Sequence, residues 1–135
     1  MRLFVLFSFL FCSCSDAMNT AEVKKDEPAT QDPGHYPLLE QYWQDIKDSS
    51  HQVLFSNRKW IDLYAGDTVS VNPYELYAES PLKNGIPSPN GKVLWLEESP
   101  GNFYEFEILE LDSFRLKLRH VEADRIHFFT KSSRQ

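Results

Sequence analysis

The sequence predicts an all-β protein in which consecutive antiparallel strands form an up-and-down meander and close into a small eight-stranded barrel. The first observation is a series of eight or nine short strand-like segments with hardly a helix among them. The second is the placing of turn signals about every 8–12 residues, which is typical of sandwiches and barrels. The third is a hairpin pattern over residues 102–119. Closure is favoured because it removes unpaired strand edges.

The hairpin at residues 102–119 carries the clearest strand pattern in the chain. Apolar side chains recur at every second position, as in a strand with one buried and one solvated face. These apolar positions are Tyr104, Phe106, Ile108, Phe114, Leu116 and Leu118. If Ile108 pairs with Leu118, an odd-numbered turn joins the arms and Glu107 lies opposite Arg119. The register should be firm, because a slip of one residue would expose the whole apolar set.

The bulk composition limits the classes of partner. The chain has 135 residues, a length for one domain, and 41% of them are hydrophobic, which is enough for a compact core. The formal net charge of -6 argues against nucleic acid, and against binding to anionic lipid by charge. Because Cys12 and Cys14 are the two cysteines, the predicted domain has neither a disulfide framework nor a thiolate metal site.

Residues 1–13 are predicted to be an export signal peptide. Arg2 supplies the positive start, and residues 3–11 form a run that is apolar except for Ser8. This run is too short to cross a bilayer, which needs about 20 apolar residues.

Cys14 is the predicted lipidation site. Residues 11–14 resemble the lipobox of bacterial lipoproteins, in which a small residue precedes a cysteine that is diacylated and becomes the new N-terminus. Ser13 fits the small position, whereas Phe11 departs from the usual leucine-like residue. Two acyl chains anchor a protein stably, so a lipid-anchored protein of the cell envelope is expected. The alternatives are cleavage after Ala17, which would give a secreted protein, and an uncleaved anchor.

Residues 14–36 are predicted to be the lipidated cysteine followed by a disordered tether. The segment is rich in charged residues, proline and glycine, and it lacks the apolar side chains that a core needs. As a flexible coil it would span about 26 Å root-mean-square, which would hold a domain clear of a membrane surface.

Residues 37–131 are predicted to form the barrel domain. The apolar spacing over 37–47 fits either a helix or one helical turn followed by a strand, and we favour the strand, with Trp43 at one end of the barrel. Further strands are expected at 52–56, 59–64, 68–71, 74–78, 92–97, in the two arms of the hairpin, and at 126–131. Asn72-Pro73 is expected to interrupt the strand pattern, since proline belongs at a strand start or edge.

The longest irregular stretch is the proline-rich loop, residues 79–91. It contains three prolines and two Asn-Gly pairs, which favour tight turns. A connection of this length in a compact domain indicates either a passive surface loop or a lid over a binding site. Leu82 and Ile86 favour the interpretation as a lid, because apolar side chains are not expected in a fully solvated loop.

The strand around Trp43, the run of short hairpins and the segments 104–118 and 126–129 resemble a small lipocalin-like, calycin-type lipoprotein family of Bacteroidetes. The resemblance covers residues 37–131. The Gly-x-Trp common in that family is Gln41-Tyr42-Trp43 in this chain, a departure in the first strand. The resemblance implies a barrel with a cavity for an apolar ligand, although a fold alone does not establish a function.

Five aromatic side chains are candidates for lining such a cavity. They are Trp43, Trp60, Tyr64, Tyr77 and Trp95. Small eight-stranded barrels either fill with side chains or hold one small ligand, so a solid barrel is the alternative.

No catalytic motif emerges from the sequence. It contains no Gly-rich phosphate loop, no nucleophile elbow and no zinc motif, so neither an enzyme nor a cofactor or metal site is expected. His120 is expected to be a partly buried histidine with its hydrogen bonds satisfied.

The sequence therefore predicts an exported, lipid-anchored, non-enzymatic protein that binds a small apolar ligand under the proline-rich loop. The alternative is a solid barrel that acts as a structural or protein-interaction module of the cell envelope.

Overall fold

The computed structural model describes residues 32–133. The predicted signal peptide, Cys14 and most of the predicted tether lie outside the described residues. A compact unit begins at Asp32. Residues 32–36, which the sequence pattern assigned to the tether, therefore belong to the folded unit.

The described residues form a short helix and eight strands. In chain order these are α1 (Tyr36–Leu39), β1 (Tyr42–Asp45), β2 (His51–Ser56), β3 (Lys59–Tyr64), β4 (Asp67–Tyr77), β5 (Val93–Ser99), β6 (Asn102–Leu111), β7 (Arg115–His120) and β8 (Arg125–Lys131). A 3-10 turn, Pro81–Lys83, lies between β4 and β5. The predicted order of one helical turn followed by a strand is confirmed by α1 and β1.

The strands form one closed antiparallel barrel in sequence order. Each strand pairs with the next, and β1 pairs with β8 to complete the ring. The predicted all-β meander that closes into an eight-stranded barrel is confirmed. The tight hairpin turn between β2 and β3 uses Asn57 and Arg58, both with positive φ (50° and 60°), which matches the natural twist of paired strands.

Strand β4 is longer than the sequence predicts. Asn72-Pro73 does not interrupt it, because the strand to which β4 is hydrogen-bonded changes at that point from β3 to β5. The strand pairs with β3 as far as Pro73 and with β5 from Tyr74 onwards. A proline, which has no N–H to donate, is tolerated where pairing changes in this way.

The hairpin of β6 and β7 has the predicted register at Glu107 and Ile108, and the register then shifts by one residue before Glu110. Ile108 lies opposite Leu118, and Glu107 lies opposite Arg119, whose Nε donates to Glu107 Oε2 at 3.0 Å. The connecting turn is residues 112–114.

Phe114 is a correction to the predicted apolar face. It lies in the turn, outside β7, and is 68% exposed. Asp112 Oδ1 accepts hydrogen bonds from the backbone N–H groups of Phe114 and Arg115, both at 2.8 Å. Because these hydrogen bonds hold Phe114 in the turn, it does not continue the alternation of buried and exposed residues in β7, whereas the sequence pattern predicted that it would.

The helix α1 covers one end of the barrel, which we call the closed end. Tyr36 is buried, and its hydroxyl accepts hydrogen bonds from the Leu76 N–H and from Arg58 Nη1, each at 3.0 Å. Trp43 is fully buried beneath the helix, and its Nε1 donates to the Leu39 carbonyl at 2.9 Å. These contacts join the helix to the sheet through buried, satisfied polar groups.

The opposite end, which we call the open end, carries the short connections at residues 46–50, 65–66, 100–101 and 121–124. The apolar core fills the barrel towards the closed end. Its fully buried members include Val53, Phe55, Leu76, Leu94, Leu116 and Leu118. The two ends therefore differ in character, since inward positions near the open end are occupied by polar and aromatic side chains.

Candidate functional site

A pocket of about 360 Å³ lies at the open end of the barrel. We call it the open-end pocket. It is lined by Trp60, Asp62, Ser70, Asn72, Leu96, Glu98, Tyr104, Phe106, His120 and His127. These side chains come from β3, β4, β5, β6, β7 and β8, so closure of the barrel is what brings them together. The volume is at the lower end of the range for small-molecule sites, about 300–1,000 Å³.

Aromatic rings form one part of the pocket wall. The ring centroids of Trp60 and Phe106 are 5.0 Å apart, and the His120 ring stacks on Phe106 at 4.9 Å. Tyr104 meets His120 edge to face at 5.2 Å. These contacts fix the rings against one another, and they offer flat surfaces to a molecule in the pocket.

Two buried nitrogen atoms in this wall have no hydrogen-bond partner among the described residues. They are Trp60 Nε1 and His120 Nε2. Trp60 is only 6% exposed, so water gives little compensation. An unpaired buried polar group costs about 1–3 kcal/mol, and such a group in a native structure needs an explanation. His120 thus differs from the expectation of a satisfied core histidine.

A hydrogen-bonded network lies beside the pocket and joins four strands. His51 Nδ1 contacts Asp45 Oδ2 at 3.2 Å, and His51 Nε2 contacts Asp62 Oδ1 at 3.1 Å. The Ser70 hydroxyl donates to Asp62 Oδ2 at 2.8 Å. A carboxylate at each ring nitrogen favours the imidazolium form of His51, in which both nitrogens donate.

The pKa values in this network follow from its geometry. Burial alone would lower the pKa of His51, but hydrogen bonds to Asp62 and Asp45 outweigh it, so the pKa is raised. Burial would raise the pKa of Asp45, but bonds from the Lys47 N–H and from His51 outweigh it, so the pKa is lowered. Both shifts favour the charged form of the group concerned.

The order of groups in the network does not activate a nucleophile. The Ser70 hydroxyl bonds to the carboxylate of Asp62, whereas a serine nucleophile needs a base such as histidine to take its proton. His51 has both nitrogens engaged by carboxylates. The network instead ties strands together and neutralises charge beside the pocket.

His127 also lines the pocket, and its surroundings favour the neutral form of the ring. Its ring stacks on Phe129, with centroids 6.3 Å apart. Burial lowers the pKa of His127, and the nearby Asp45 carboxylate only partly opposes that effect. The two histidines His51 and His127 thus respond to their surroundings in opposite directions.

The structure separates the five aromatic residues that the sequence proposed as ligand contacts. Trp60 lines the open-end pocket. Trp43 is packed in the closed-end core with its N–H satisfied, and Tyr64 is 51% exposed at the rim of the open end. Tyr77 and Trp95 are a correction, because they alternate with buried Leu76 and Leu94 and so lie on the outer face of the barrel.

The outer-face aromatics form a small cluster of their own. Trp95 stacks on Phe103 with centroids 5.1 Å apart, and Tyr77 meets Trp95 edge to face at 6.5 Å. Aromatic neighbours thus partly cover Trp95 on the outward side of β5.

The proline-rich loop lies at the closed end, away from the open-end pocket. The Ala78 N–H donates to Ile86 O and the Ser88 N–H donates to Leu76 O, which folds the loop back on the end of β4. Leu82 and Ile86 are exposed. The loop therefore does not cover the open-end pocket.

Beside this loop, a groove of about 600 Å³ runs over the outer surface of the barrel. We call it the outer groove. Its walls include Ser80, Lys83, Glu105, Glu107 and Arg119. The Ser80 hydroxyl donates to Glu105 Oε2 at 2.6 Å, and Arg119 pairs with Glu107, so its charged groups are largely matched.

Sequence reasoning missed most of the polar residues at the open end. A signal existed for some of them: His51 lies two positions from the inward Val53, and Asp62 two positions from the inward Trp60. A polar residue at an inward position of a strand indicates either a buried network or a site. Which of the two it is depends on strands that are distant in sequence.

Residues 32–133 contain no group of three or more His, Asp or Glu side chains arranged to hold a metal ion. The same part of the chain has no helix with the length and apolar character needed to cross a membrane. Comparison with known proteins gives no match: no family model, curated protein or solved structure is similar to this chain.

Proposed function

We propose that this protein is a non-enzymatic, lipid-anchored component of the cell envelope whose lipocalin-like barrel binds a small, largely apolar molecule in the open-end pocket. The observation that carries the proposal is the pocket itself. It combines aromatic and aliphatic walls with buried polar atoms, Trp60 Nε1 and His120 Nε2, that have no partner in the described structure. That combination is typical of small-molecule sites, where a few polar groups orient a mostly apolar ligand.

The packing at the two ends supports this location. The closed end is filled by α1 and the apolar core. The short connections at the open end leave the pocket accessible from solvent.

The proposal is tested with N-phenyl-naphthylamine, an uncharged dye that fluoresces when it enters an apolar site. The purified protein should bind the dye saturably, at one molecule per chain. Asn72→Trp places a large side chain in the pocket and should abolish binding. Val71→Trp is the matched control, because Val71 is the preceding residue of the same strand and is exposed on the outer face.

Two results would contradict the proposal. One is the absence of saturable binding by the unmodified protein. The other is equal binding by the two variants when circular dichroism shows that both are folded. Loss of binding in both variants would place the dye outside the pocket and would also count against the proposal.

The membrane anchor is supported by the residues before the barrel. The predicted signal peptide and the lipobox-like residues 11–14 place Cys14 where diacylation would occur. Cys14→Ala should release the protein from membranes into the soluble fraction, because the lipid provides the attachment. Cys12→Ala is the matched control, and it should stay with the membranes. Membrane attachment of the Cys14→Ala protein would exclude lipidation at that residue.

The second candidate function is a structural or protein-interaction module. The outer groove and the nearby aromatic cluster of Tyr77, Trp95 and Phe103 favour it, since they offer a mixed charged and aromatic surface. The dye experiment separates the two functions, because an interaction module with a solid interior would exclude every small probe.

A further inference from the structure

We propose that the open-end pocket selects an uncharged, planar aromatic molecule that carries a hydrogen-bond acceptor, with Trp60 Nε1 and His120 Nε2 binding its polar edge. This inference rests on the proposed function and names the chemical class of the ligand. It differs from a purely apolar ligand in requiring a polar group at a defined place.

The aromatic walls favour a planar molecule. Trp60, Phe106 and His120 form a continuous series of rings, with successive centroids 5.0 Å and 4.9 Å apart. Leu96 adds an apolar contact from β5. A flat ring system can stack on these surfaces or meet their edges, whereas a branched aliphatic molecule would use them less well.

The first polar group that the ligand must carry is determined by Trp60 Nε1. The indole N–H is a donor only, so the group it binds must be an acceptor. The atom is buried and has no partner among residues 32–133, and the Trp60 side chain is part of the pocket wall. A carbonyl or a ring nitrogen of the ligand would supply the missing hydrogen bond.

His120 Nε2 determines the second requirement. A neutral imidazole nitrogen is either a donor or an acceptor, depending on the tautomer. His120 can therefore adapt to the group next to the ligand's acceptor. A lactam, which carries an N–H beside a C=O, presents one group of each kind on a single edge.

The charges around the pocket exclude ionic ligands. Asp62 and Glu98 place two carboxylates on the wall, which disfavours an anion. An ammonium or guanidinium group offers only donors, so it could not pair with the Trp60 N–H. Asp62 is also already engaged by His51 and Ser70, so it has less to offer an incoming ammonium group.

The test uses three bicyclic probes of similar shape that compete with the dye: quinolinone, a neutral lactam; naphthalene, which has no polar group; and naphthoate, an anion. Quinolinone should displace the dye at a concentration about tenfold lower than naphthalene, as expected for one buried hydrogen bond. Naphthoate should be the weakest of the three.

The variant Trp60→Phe tests the role of the indole. It keeps an aromatic ring but removes the N–H, so the advantage of quinolinone over naphthalene should disappear. The affinity for naphthalene should change by less than about twofold, since its contacts are apolar. Trp95→Phe, on the outer face, is the matched control and should keep the full advantage.

The outcomes distinguish this inference from the proposed function. If none of the probes and no dye binds to the unmodified protein, both fall. If quinolinone and naphthalene compete equally, or if naphthoate competes best, the small-molecule site stands and the inference about its ligand is overturned. The comparison of probes on the unmodified protein needs no variant, so it decides the question even if Trp60→Phe fails to fold.

Discussion

His51 shows how single residues hold the open end together. It lies on β2, and its ring nitrogens contact Asp45 on β1 and Asp62 on β3, while Ser70 on β4 completes the chain. The closed end has a helix to cover it, and the open end has this network. Because every member has a partner, the network adds rigidity without the penalty of an unsatisfied buried group.

The His51 network should make stability depend on pH. The pKa of His51 is raised on folding, so its contribution is complete below the unfolded value of about 6.5 and is lost as pH rises through the folded pKa. Asp45 has a lowered pKa, so its contribution is present above about 3.9 and is lost as pH falls below that range. The network is therefore most stabilising in the mildly acidic range between these limits.

We expect His51→Gln to lower the free energy of unfolding by about 1–3 kcal/mol in that range, with the loss shrinking towards alkaline pH. Urea unfolding at a series of pH values measures the difference. His127→Gln is the control with the opposite sign, because burial lowers the pKa of His127 and its charged form opposes folding at acidic pH. A loss for His51→Gln that stays constant or grows with pH would contradict this account.

At the scale of elements, the β6–β7 hairpin shows why strand register is predictable. Its apolar residues alternate and its charged residues have opposite signs on the two arms, so one pairing satisfies both patterns. The prediction extended the alternation of apolar residues to Phe114, which lies in the turn. Asp112 binds the backbone of the turn and ends the alternation before Leu116.

Two substitutions in this hairpin test the corrected boundary. Leu116 is 1% exposed, so Leu116→Ala should destabilise the protein by about 2–5 kcal/mol through the cavity it leaves. Phe114 lies two residues away and points into solvent, so Phe114→Ala should change stability by about 0.5 kcal/mol or less. Urea unfolding measures both, and equal losses would mean that Phe114 belongs to the core after all.

The element scale also separates what the sequence could predict from what it could not. Strand number, order and the β6–β7 register depend on local periodicity and short turns, which a single sequence displays. A single sequence does not show which face of the barrel wall an aromatic residue occupies. Trp60 and Trp95 are the same residue type, yet they lie on opposite faces. The open-end pocket could not be predicted either, since Trp60 and His120 line the same pocket only when strands that are not neighbours close into a ring.

At the scale of the whole molecule, the two ends of the barrel differ in how they are filled. The closed end is stabilised by α1, Trp43 and the core, and the proline-rich loop packs there as part of the scaffold. Eight strands give an interior just wide enough for side chains to fill it or for one small ligand. In this barrel the core fills one end, and the open-end pocket remains at the other.

The most direct measurement of the central claim is a proton–nitrogen correlation spectrum of the isotope-labelled protein during titration with quinolinone. The chain has three tryptophans, so it gives three indole N–H signals, which Trp60→Phe and Trp95→Phe assign by removal. We predict that the Trp60 signal shifts saturably as its N–H gains an acceptor, while the signals of Trp43 and Trp95 stay in place. An unchanged Trp60 signal at saturating quinolinone would contradict binding in the open-end pocket.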